Sequence, residues 1–483
     1  MIQKELEQIL SKDGAKLYFI GIGGIAMSAA ANLARDFGYQ VAGSDSQTIY
    51  PPAKDVLIQN QVEYFTGYNA EQAAGSEADL FVLSAGEGLD NPEVKHVVEK
   101  DLPRVGLAQL LYELSKDKLR IVVAGTHGKS TTAALLGHLV KNLDNSSFVV
   151  GAVLQNYQSN FHSGSGHYFV FEGDEYKEQF DDPTPKFHYY KPDILVLTNL
   201  EYDHPDQFAS LDDLQNEFRQ LLSDMPEDGL IVYNGDNADL ARLVHESNVA
   251  SISFGLESGL DFVARDIQPG PQFTNFGVAN KFSKDSIAKL LEKDEEYQIQ
   301  LPGKFNVYNA LAAIATLRTL GFGREDIALD LVSFLGLKRR FEIIAQKNGI
   351  TIIDDYAHHP TAVKETLAAA RARYPEAKIW AVFEPHTYSR TRALLAELAK
   401  AFTDADEVLI SEIYPARESA KDANISSQQV ISAIKPYAKS VTLVPNKAEA
   451  VTLLKKALKP GDVVVIMAVG SFNRLAYELK DVI

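Results

Sequence analysis

The sequence has 483 residues, of which 46% are hydrophobic and 23% are charged, and it carries a formal net charge of −18. A chain of this length predicts two to four domains, and this composition is typical of a soluble globular protein. The acidic balance argues against non-specific binding to nucleic acid or to anionic membranes. The sequence contains no cysteine, which excludes disulfides, thiolate zinc sites and a catalytic thiol.

Targeting and membrane signals are missing from the sequence. Residues 1–16 carry several charges where a signal peptide needs an apolar core. No window offers the roughly 18 uninterrupted apolar residues of a membrane span. We therefore expect a cytoplasmic protein with no nucleic-acid or membrane partner, and the sequence makes no prediction of its oligomeric state.

Strand and helix patterns alternate along the chain in three segments, residues 1–118, 119–335 and 336–483. Apolar runs such as Lys16–Ile20 and Val463–Ile466 predict buried strands, and the amphipathic stretches between such runs predict helices. This alternation is typical of parallel sheets covered by helices. The sequence therefore predicts an α/β protein of three domains, Rossmann-like at both ends and with a P-loop ATPase domain in the centre.

A glycine-rich turn follows the first predicted strand. The candidate ligand contacts in and beyond this turn are Gly21, Gly23, Gly24, Met27, Ser44 and Asp45. Such a turn can hold a diphosphate at a helix N-terminus, and an acidic residue after the second strand can contact a ribose. Ala26 occupies the last glycine position of the full dinucleotide pattern. A redox dinucleotide, a UDP-sugar and a Rossmann-like scaffold without ligand are therefore all open at this point.

A second glycine turn follows the predicted strand Leu119–Ala124. Its residues, which open a helix, are Gly125, Thr126, His127, Gly128, Lys129, Ser130 and Thr131. The glycine spacing is shorter than in the usual P-loop, but here too backbone N–H groups and a helix N-terminus face an anion. In such a loop Lys129 holds the β- and γ-phosphates and the Ser130 hydroxyl binds Mg²⁺. The loop therefore predicts ATP binding.

Acidic residues follow two further predicted strands. Glu172 ends the first of these strands, and Asp203 and His204 follow the second. Because the carboxyl ends of parallel strands converge on one crevice, both groups are expected beside the phosphate loop. Oxygen ligands with one imidazole suit magnesium bound together with nucleotide phosphates. The predicted metal ligands are Ser130, Glu172 and His204.

At this point the sequence resembles the Mur ligases, over all three segments. The motifs that carry the resemblance are residues 125–131, Glu172-x-Asp174-Glu175, Thr198-Asn199-x-x-x-Asp203-His204, Gly303 to Asn309, Arg339–Glu342 and Asp354–Pro360. The resemblance implies that Asn306 and Asn309 meet adenine, and that Arg340 and Asp355 belong to the ATP site. It also implies that the three segments bind a UDP-sugar, ATP and the amine acceptor in that order.

The first glycine turn narrows the resemblance to the branch that uses UDP-N-acetylmuramate as the acyl substrate. This branch implies an ATP-dependent ligase of peptidoglycan precursor synthesis, which joins the lactyl carboxylate to the amino group of L-alanine. In the murein peptide ligases of this branch the acceptor is the tripeptide L-Ala-γ-D-Glu-meso-diaminopimelate. Residues 174–190 are similar to the peptide ligases, whereas residues 383–392 are similar to the L-alanine-adding enzymes. L-Alanine is therefore the predicted acceptor and the tripeptide is the alternative.

The implied chemistry is activation of a carboxylate by ATP. An acyl phosphate reacts with an amine because phosphate leaves readily, whereas a free carboxylate would have to expel oxide. We expect Lys129 and a metal-bound His204 to neutralise charge during phosphoryl transfer, with Arg340 joining when the last domain closes. His358 and His359 are candidates for accepting the amine proton or for positioning nucleotide or substrate. The predicted contacts of substrate or acceptor in the last segment are His359, His386 and Arg390.

Two hypotheses from other classes stand beside this one. An NAD-linked oxidoreductase would use the first glycine turn but leaves the phosphate loop and the acidic strand ends unexplained. A non-catalytic nucleotide-binding regulator would keep the fold, but a chain that only binds has no need of the full set of phosphate and metal residues.

Overall fold

The computed structural model describes residues 3–46, 48–49, 51, 53–203, 207–208, 210–281, 294–416, 418 and 424–483. Its contacts divide the chain into two compact units. Unit 1 comprises Met1–Leu200, Gln215–Phe262 and Leu311–Asp330, and unit 2 comprises Glu201–Leu214, Val263–Ala310 and Leu331–Ile483. The predicted domain boundaries after residues 118 and 335 stay predictions.

Unit 1 begins with a parallel five-stranded sheet whose strand order is β3-β2-β1-β4-β5. The strands are β1 (Lys16–Ile20), β2 (Gln40–Asp45), β3 (Glu63–Thr66), β4 (Leu80–Leu83) and β5 (Arg104–Gly106). The helices between and around them are α1 (Gln3–Leu10), α2 (Ile25–Asp36), α3 (Ala53–Gln59), α4 (Ala70–Gly75), α5 (Pro92–Glu99) and α6 (Leu107–Ser115). All four residues of β4 are buried, as expected for a parallel strand covered on both faces.

A second sheet carries the phosphate loop, and its strands that lie in unit 1 run in the order β14-β13-β12-β6-β9-β7-β8. These strands are β6 (Leu119–Ala124), β7 (Ser147–Leu154), β8 (Ser159–His162), β9 (Tyr168–Glu172), β12 (Ile194–Leu197), β13 (Leu230–Asn234) and β14 (Ala250–Gly255). A separate antiparallel hairpin consists of β10 (Lys177–Gln179) and β11 (Asp182–Pro185). Strand β6 pairs in parallel with both β9 and β12, so the ends of all three strands meet at one edge.

Unit 2 contains a six-stranded sheet of order β18-β19-β23-β20-β21-β22. Its strands are β18 (Glu342–Lys347), β19 (Ile350–Asp355), β20 (Ile379–Phe383), β21 (Glu407–Ile410), β22 (Val441–Leu443) and β23 (Val463–Met467). Strand β18 is antiparallel to β19, and the other pairs are parallel. The remaining strands are β15 (Phe262–Pro269), β16 (Thr274–Asn280) and β17 (Glu295–Ile299).

The helices after α6 alternate with these strands. They are α7 (Lys129–Asp144), α8 (Lys186–Tyr189), α9 (Leu211–Ser223), α10 (Ala238–His245), α11 (Lys304–Thr319), α12 (Arg324–Ser333), α13 (Pro360–Arg373), α14 (Tyr388–Ala393), α15 (Leu395–Lys400), α16 (Ser427–Ile434), α17 (Lys447–Ala457) and α18 (Leu475–Val482), with a 3-10 helix at Ser471–Arg474. Alternating residues of the six-stranded sheet enter two separate apolar clusters, with Ile353 and Phe383 in one and Ile352 and Val382 in the other. Helices therefore cover both faces of this sheet, and the predicted α/β class is confirmed. Among the described residues, no helix combines the length and apolarity that a membrane crossing needs.

Candidate active site

The phosphate loop connects strand β6 to helix α7 with two glycines in conformations that L-residues rarely adopt. Gly125 has a φ of 131° and Gly128 has a φ of 79°. A Cβ atom on Gly125 would lie 2.3 Å from Thr198 Oγ1 and 2.8 Å from the carbonyl oxygen of Asn199. Both the backbone angle and the close approach therefore require glycine at position 125.

Two residues at the end of strand β12 hold this loop from the side. The Asn199 side chain accepts a hydrogen bond from His127 N at 2.8 Å and donates one to the His127 carbonyl at 2.9 Å. Thr198 Oγ1 donates to the same carbonyl at 2.6 Å, and Thr126 N donates to the Asn199 carbonyl at 3.1 Å. We had not predicted this contact, because it depends on β12 lying beside β6. The sequence signals at these positions were a polar pair after an apolar strand and their place in the motif of residues 198–204.

Lys129 lies at the start of helix α7 and is surrounded by acceptors. Its ammonium donates to the carbonyl of Gly125 at 2.6 Å and lies 2.9 Å from Glu175 Oε2. Burial opposes the charged form and is the largest single effect, yet the neighbouring carboxylates, chiefly Glu175, outweigh it and raise the pKa of Lys129. Lys129 is thus a partly buried cation at the start of helix α7, as an anion site requires.

Ser130 and Glu172 come together as predicted for a metal site. Ser130 Oγ donates to Glu172 Oε1 at 2.6 Å, and the other oxygen of Glu172 accepts from Gly151 N at 2.6 Å. A hydroxyl and a carboxylate at this distance form the oxygen-rich donor set that Mg²⁺ prefers. These residues therefore fit the ion. The third predicted ligand, His204, lies outside the described residues.

The first glycine turn has a different arrangement from the one predicted for its polar residues. Gly23 N donates to Asp45 Oδ2 at 2.9 Å, so Asp45 does lie at the turn and at the start of helix α2. The Ser44 side chain, in contrast, is fully buried and donates to Glu93. Met27 is also buried. The prediction that the Ser44 side chain faces a ligand is therefore corrected: the hydroxyl points into the domain.

Glu93 is a buried carboxyl that the sequence did not single out. Besides the Ser44 hydroxyl it accepts a hydrogen bond from Asn69 N at 3.0 Å. Burial raises the pKa of Glu93. The contact ties strand β2 to helix α5 and keeps the end of β2, and with it Asp45, beside Gly21, Gly23 and Gly24.

In unit 2 the end of strand β19 is tied to the loop that carries Arg340. Asp355 is buried, and its two oxygens accept from Phe341 N and Ala357 N, each at 2.7 Å. Burial raises the pKa of Asp355, and the nearby Arg340 opposes that shift. The Arg340 guanidinium lies 5.1 Å from the centre of the Tyr356 ring. Asp355, which we predicted as an ATP contact, therefore shapes the Arg340 loop.

The neighbouring carboxyl, Asp354, has no exposed surface, and its closest cation is Arg339 Nε at 3.8 Å. Burial raises the pKa of Asp354 from 3.8 to about 7. A raised pKa means that this group stabilises the fold most at low pH, and that the contribution is lost as the pH rises toward 7. We expect Asp354→Asn to lose less thermal stability than the wild type between pH 5 and pH 8.

The difference should amount to a few kcal/mol, because each unit of pKa shift corresponds to about 1.4 kcal/mol. Melting temperatures at the two pH values test this, with the surface variant Asp181→Asn as control. An equal loss of melting temperature in the wild type and Asp354→Asn would show that ionisation of Asp354 is not costly.

Arg390 and the histidines form a buried polar cluster in unit 2. Arg390 donates to Asp203 Oδ1 through Nε at 3.0 Å and through Nη2 at 2.9 Å, and its Nη1 lies 2.9 Å from His386 Nδ1. The rings of His358 and His386 lie 5.5 Å apart. The prediction placed Arg390 free to bind an acceptor carboxylate. The structure gives two of its nitrogens to Asp203 instead, which leaves the cluster with little net charge.

His358 has the protonation that a base requires. Its Nδ1 lies 2.9 Å from the carbonyl oxygen of Tyr356, which can only accept, so Nδ1 carries the proton and Nε2 offers a lone pair. Burial lowers the pKa of His358 well below its usual value, and the Arg390 cation acts in the same direction. His358 is therefore neutral at pH 7.

The predicted residue His359, and Thr387 next to the predicted His386, lie at helix starts in unit 2. His359 Nδ1 accepts from Thr361 N at 3.3 Å at the beginning of helix α13, and the Thr361 hydroxyl donates to Glu201 at 2.9 Å. Thr387, at the beginning of α14, has a φ of 57°, which is unusual for a β-branched residue. Backbone strain of this kind is common at functional sites, and here it lies directly between His386 and the helix that carries Arg390.

The asparagines predicted to meet adenine are buried and bonded to each other. Asn309 Nδ2 donates to Asn306 Oδ1 at 3.0 Å, and Asn306 Nδ2 donates to the carbonyl of Pro302 at 2.7 Å. Both stand on the first turns of helix α11. Their amides are thus held in fixed orientations.

Three family models match successive parts of the chain. The Mur ligase family catalytic domain matches residues 16–119, the Mur ligase middle domain residues 123–317, and the Mur ligase glutamate ligase domain residues 339–470. Together they span all the motifs named above.

Individual relatives extend the similarity to nearly the whole chain. A UDP-N-acetylmuramate–L-alanine ligase of Clostridium acetobutylicum is 35% identical over 474 residues, 98% of each chain. The crystal structure of a UDP-N-acetylmuramate–alanine ligase from Thermotoga maritima matches with a TM-score of 0.79 over 96% of this chain and 98% of that one, and its 24% identity supports the fold alone. A murein peptide ligase from Psychrobacter arcticus matches with a TM-score of 0.74 at 26% identity over 97% and 98% of the two chains. The chain belongs to the Mur ligase family.

Proposed function

We propose that the protein is an ATP-dependent ligase that joins the lactyl carboxylate of UDP-N-acetylmuramate to the amino group of L-alanine, in the cytoplasmic synthesis of peptidoglycan precursors. The observation that carries the ligase chemistry is the phosphate loop, where the Lys129 ammonium lies between loop carbonyls and Glu175. Full-length similarity to a relative named for this reaction supports the choice of substrates.

ATP and the carboxylate react in the first step. The start of helix α7 binds the phosphates, and Lys129 carries the positive charge that offsets the γ-phosphoryl group as it moves. Asn306 and Asn309 are proposed to bind adenine, and Arg340 and Asp355 to complete the nucleotide contacts. The carboxylate oxygen attacks the γ-phosphorus, the bond to the β-phosphate oxygen breaks, and ADP and an acyl phosphate result.

Ser130, Glu172 and His204 are the residues proposed to hold magnesium. When bound, the ion would neutralise charge on the phosphates and on the incoming carboxylate. The protein contributes the fixed orientation of the Ser130 and Glu172 oxygens, which Gly151 N maintains from the other side.

The sugar nucleotide and the amine occupy the other parts of the proposed site. The turn at Gly21, Gly23 and Gly24 lets the diphosphate approach the start of helix α2, and Asp45 binds the nucleoside. The amine attacks the acyl carbon, phosphate leaves, and the amine loses a proton. His358 accepts this proton through Nε2, with His386 and His359 positioning the acceptor and Arg390 fixing the His386 ring.

The tripeptide is the second candidate acceptor, and two observations favour it. Residues 174–190 contain the hairpin of β10 and β11, in the stretch that resembles the peptide ligases. A murein peptide ligase also matches 97% of the chain at 26% identity. The relative at 35% identity favours L-alanine.

Phosphate release with ATP, Mg²⁺ and UDP-N-acetylmuramate separates the candidates. We expect turnover with L-alanine and at least tenfold less with L-alanyl-γ-D-glutamyl-diaminopimelate, in line with the roughly 1.4 kcal/mol that a tenfold preference requires. The reverse preference would establish the peptide ligase. No release with either acceptor would contradict both assignments, and mass spectrometry of the product identifies the bond formed.

A further inference from the structure

Glu178 in strand β10 is a fully buried carboxylate that the proposed chemistry does not use. Its Oε1 accepts a hydrogen bond from Gln109 N at 3.0 Å, in the first turn of helix α6. The residue before this helix is Gly106, which has no side chain to cap it. Glu178 therefore supplies, from another part of the chain, a carboxylate to the free N–H groups and positive end of α6.

Gly106 makes the space that the carboxylate occupies. A Cβ atom on Gly106 would lie 2.2 Å from Glu178 Oε1 and 2.4 Å from Cδ. The φ of Gly106 is −86°, which any residue can adopt, so the backbone does not require glycine here. Glycine is required at position 106 because the Glu178 carboxylate occupies the space next to it.

The segment that ends in Glu178 begins beside the phosphate loop. Glu175, three positions earlier in the sequence, lies 2.9 Å from the Lys129 ammonium. Between them the Tyr176 carbonyl accepts from Lys186 N at 3.0 Å, so the backbone is held against the start of α8. Lys129 is thus connected to α6 through one short, tightly held segment.

We propose that Glu178 is a positioning residue for nucleotide binding: by anchoring residues 174–178 on helix α6 it keeps Glu175 in place against Lys129. The predicted effect on the KM for ATP rests on the proposed function, but the predicted effect on Mg-ADP binding does not. Removal of the anchor lets the segment shift, so the Lys129 ammonium loses the partner that fixes its orientation before phosphate arrives.

Three variants test this in the full-length protein. Glu178→Ala should weaken Mg-ADP binding, measured by calorimetry without sugar, by about tenfold, the scale of one charge-assisted hydrogen bond. It should raise the KM for ATP by a similar factor and change kcat less than twofold. Glu178→Gln keeps the shape and an acceptor oxygen and should restore binding. Asp181→Asn, which removes the surface ion pair of the same hairpin with Arg104, should bind as the wild type does.

A double-mutant cycle with Gly106→Ala shows whether the effect passes through this contact. Gly106→Ala alone should weaken Mg-ADP binding, because its methyl group displaces the carboxylate, and it should have no further effect on Glu178→Ala. Wild-type affinity in Glu178→Ala, or additive effects in the double variant, would overturn the proposal. If Glu178→Ala does not fold, a comparison of Mg-ADP affinity between Gly106→Ala and Asp181→Asn tests the same proposal. Mg-ADP binding by the wild type without sugar-dependent turnover would overturn the proposed function and leave this test intact.

Discussion

Lys129→Met is expected to lower ATP-dependent phosphate release by about 10²- to 10³-fold, the usual cost of removing one electrostatic stabiliser from a phosphoryl transfer. The methionine fills a similar volume, but it removes the ammonium that donates to the loop carbonyls of Gly125 and Thr126. Lys129 is proposed to contact the β-phosphate as well as the γ-phosphate, so affinity for ADP should fall. The value of kcat should fall because the ammonium stabilises the transferring phosphoryl group more in the transition state than in the ground state. Steady-state phosphate release and Mg-ADP titration measure the two effects separately.

The control for Lys129→Met must separate lost chemistry from lost stability. Without the ammonium, Glu175 would be a buried carboxylate lacking its cation, which costs roughly 3–5 kcal/mol. The double variant Lys129→Met with Glu175→Gln removes that penalty, so its melting temperature should recover while its turnover does not. Lys141→Met, near the other end of the same helix, controls for the substitution itself. Recovery of turnover in the double variant would contradict the assigned role of Lys129.

The phosphate loop could be predicted from the sequence because its determinants are local. An apolar strand, two glycines and a Lys-Ser pair at a helix start all lie within residues 119–131, and together they form the strand, turn and helix start of a phosphate loop. The hydrogen bonds of Thr198 and Asn199 with the phosphate loop could not be predicted in the same way. They require β12 to lie next to β6, and this neighbour relation is set by how the whole sheet assembles.

Side-chain direction was the other quantity that the sequence left open. Ser44 and Asp45 are adjacent at the end of a strand, so their side chains point to opposite faces of the sheet. The local sequence does not indicate which of the two faces contacts the ligand. The structure puts Asp45 at the glycine turn and Ser44 inside against Glu93. Arg390 is a similar case, because its buried partner Asp203 is far away in the sequence. Residue type gave the chemistry at these positions, and long-range packing decided which atoms are available for it.

Arg340→Ala is expected to lower turnover by roughly 10²-fold or more with little change in melting temperature. The backbone around it is fixed from both sides, since Arg339 and Phe341 have φ values of 61° and 49° and Phe341 N is bound by Asp355. The guanidinium groups of Arg339 and Arg340 both lie over the Tyr356 ring, and a strained loop of this kind is a feature of pre-organised sites. Loss of the contact with Tyr356 should itself cost only about 0.5–1 kcal/mol of stability, so the effect on kcat should dominate.

The adjacent arginine provides a matched control for this prediction. Arg339 donates to the carbonyls of Ala468 and Val469 at 2.6 and 3.2 Å, so it is a structural tie between the loop and the end of β23. Arg339→Ala should therefore lower the melting temperature, whereas Arg340→Ala should lower turnover. Arg340→Lys keeps the charge but not the planar guanidinium, so its turnover should lie between that of Arg340→Ala and that of the wild type. Near-normal turnover in Arg340→Ala would remove this residue from the phosphoryl-transfer step and leave Lys129 and the metal ligands to neutralise the γ-phosphate.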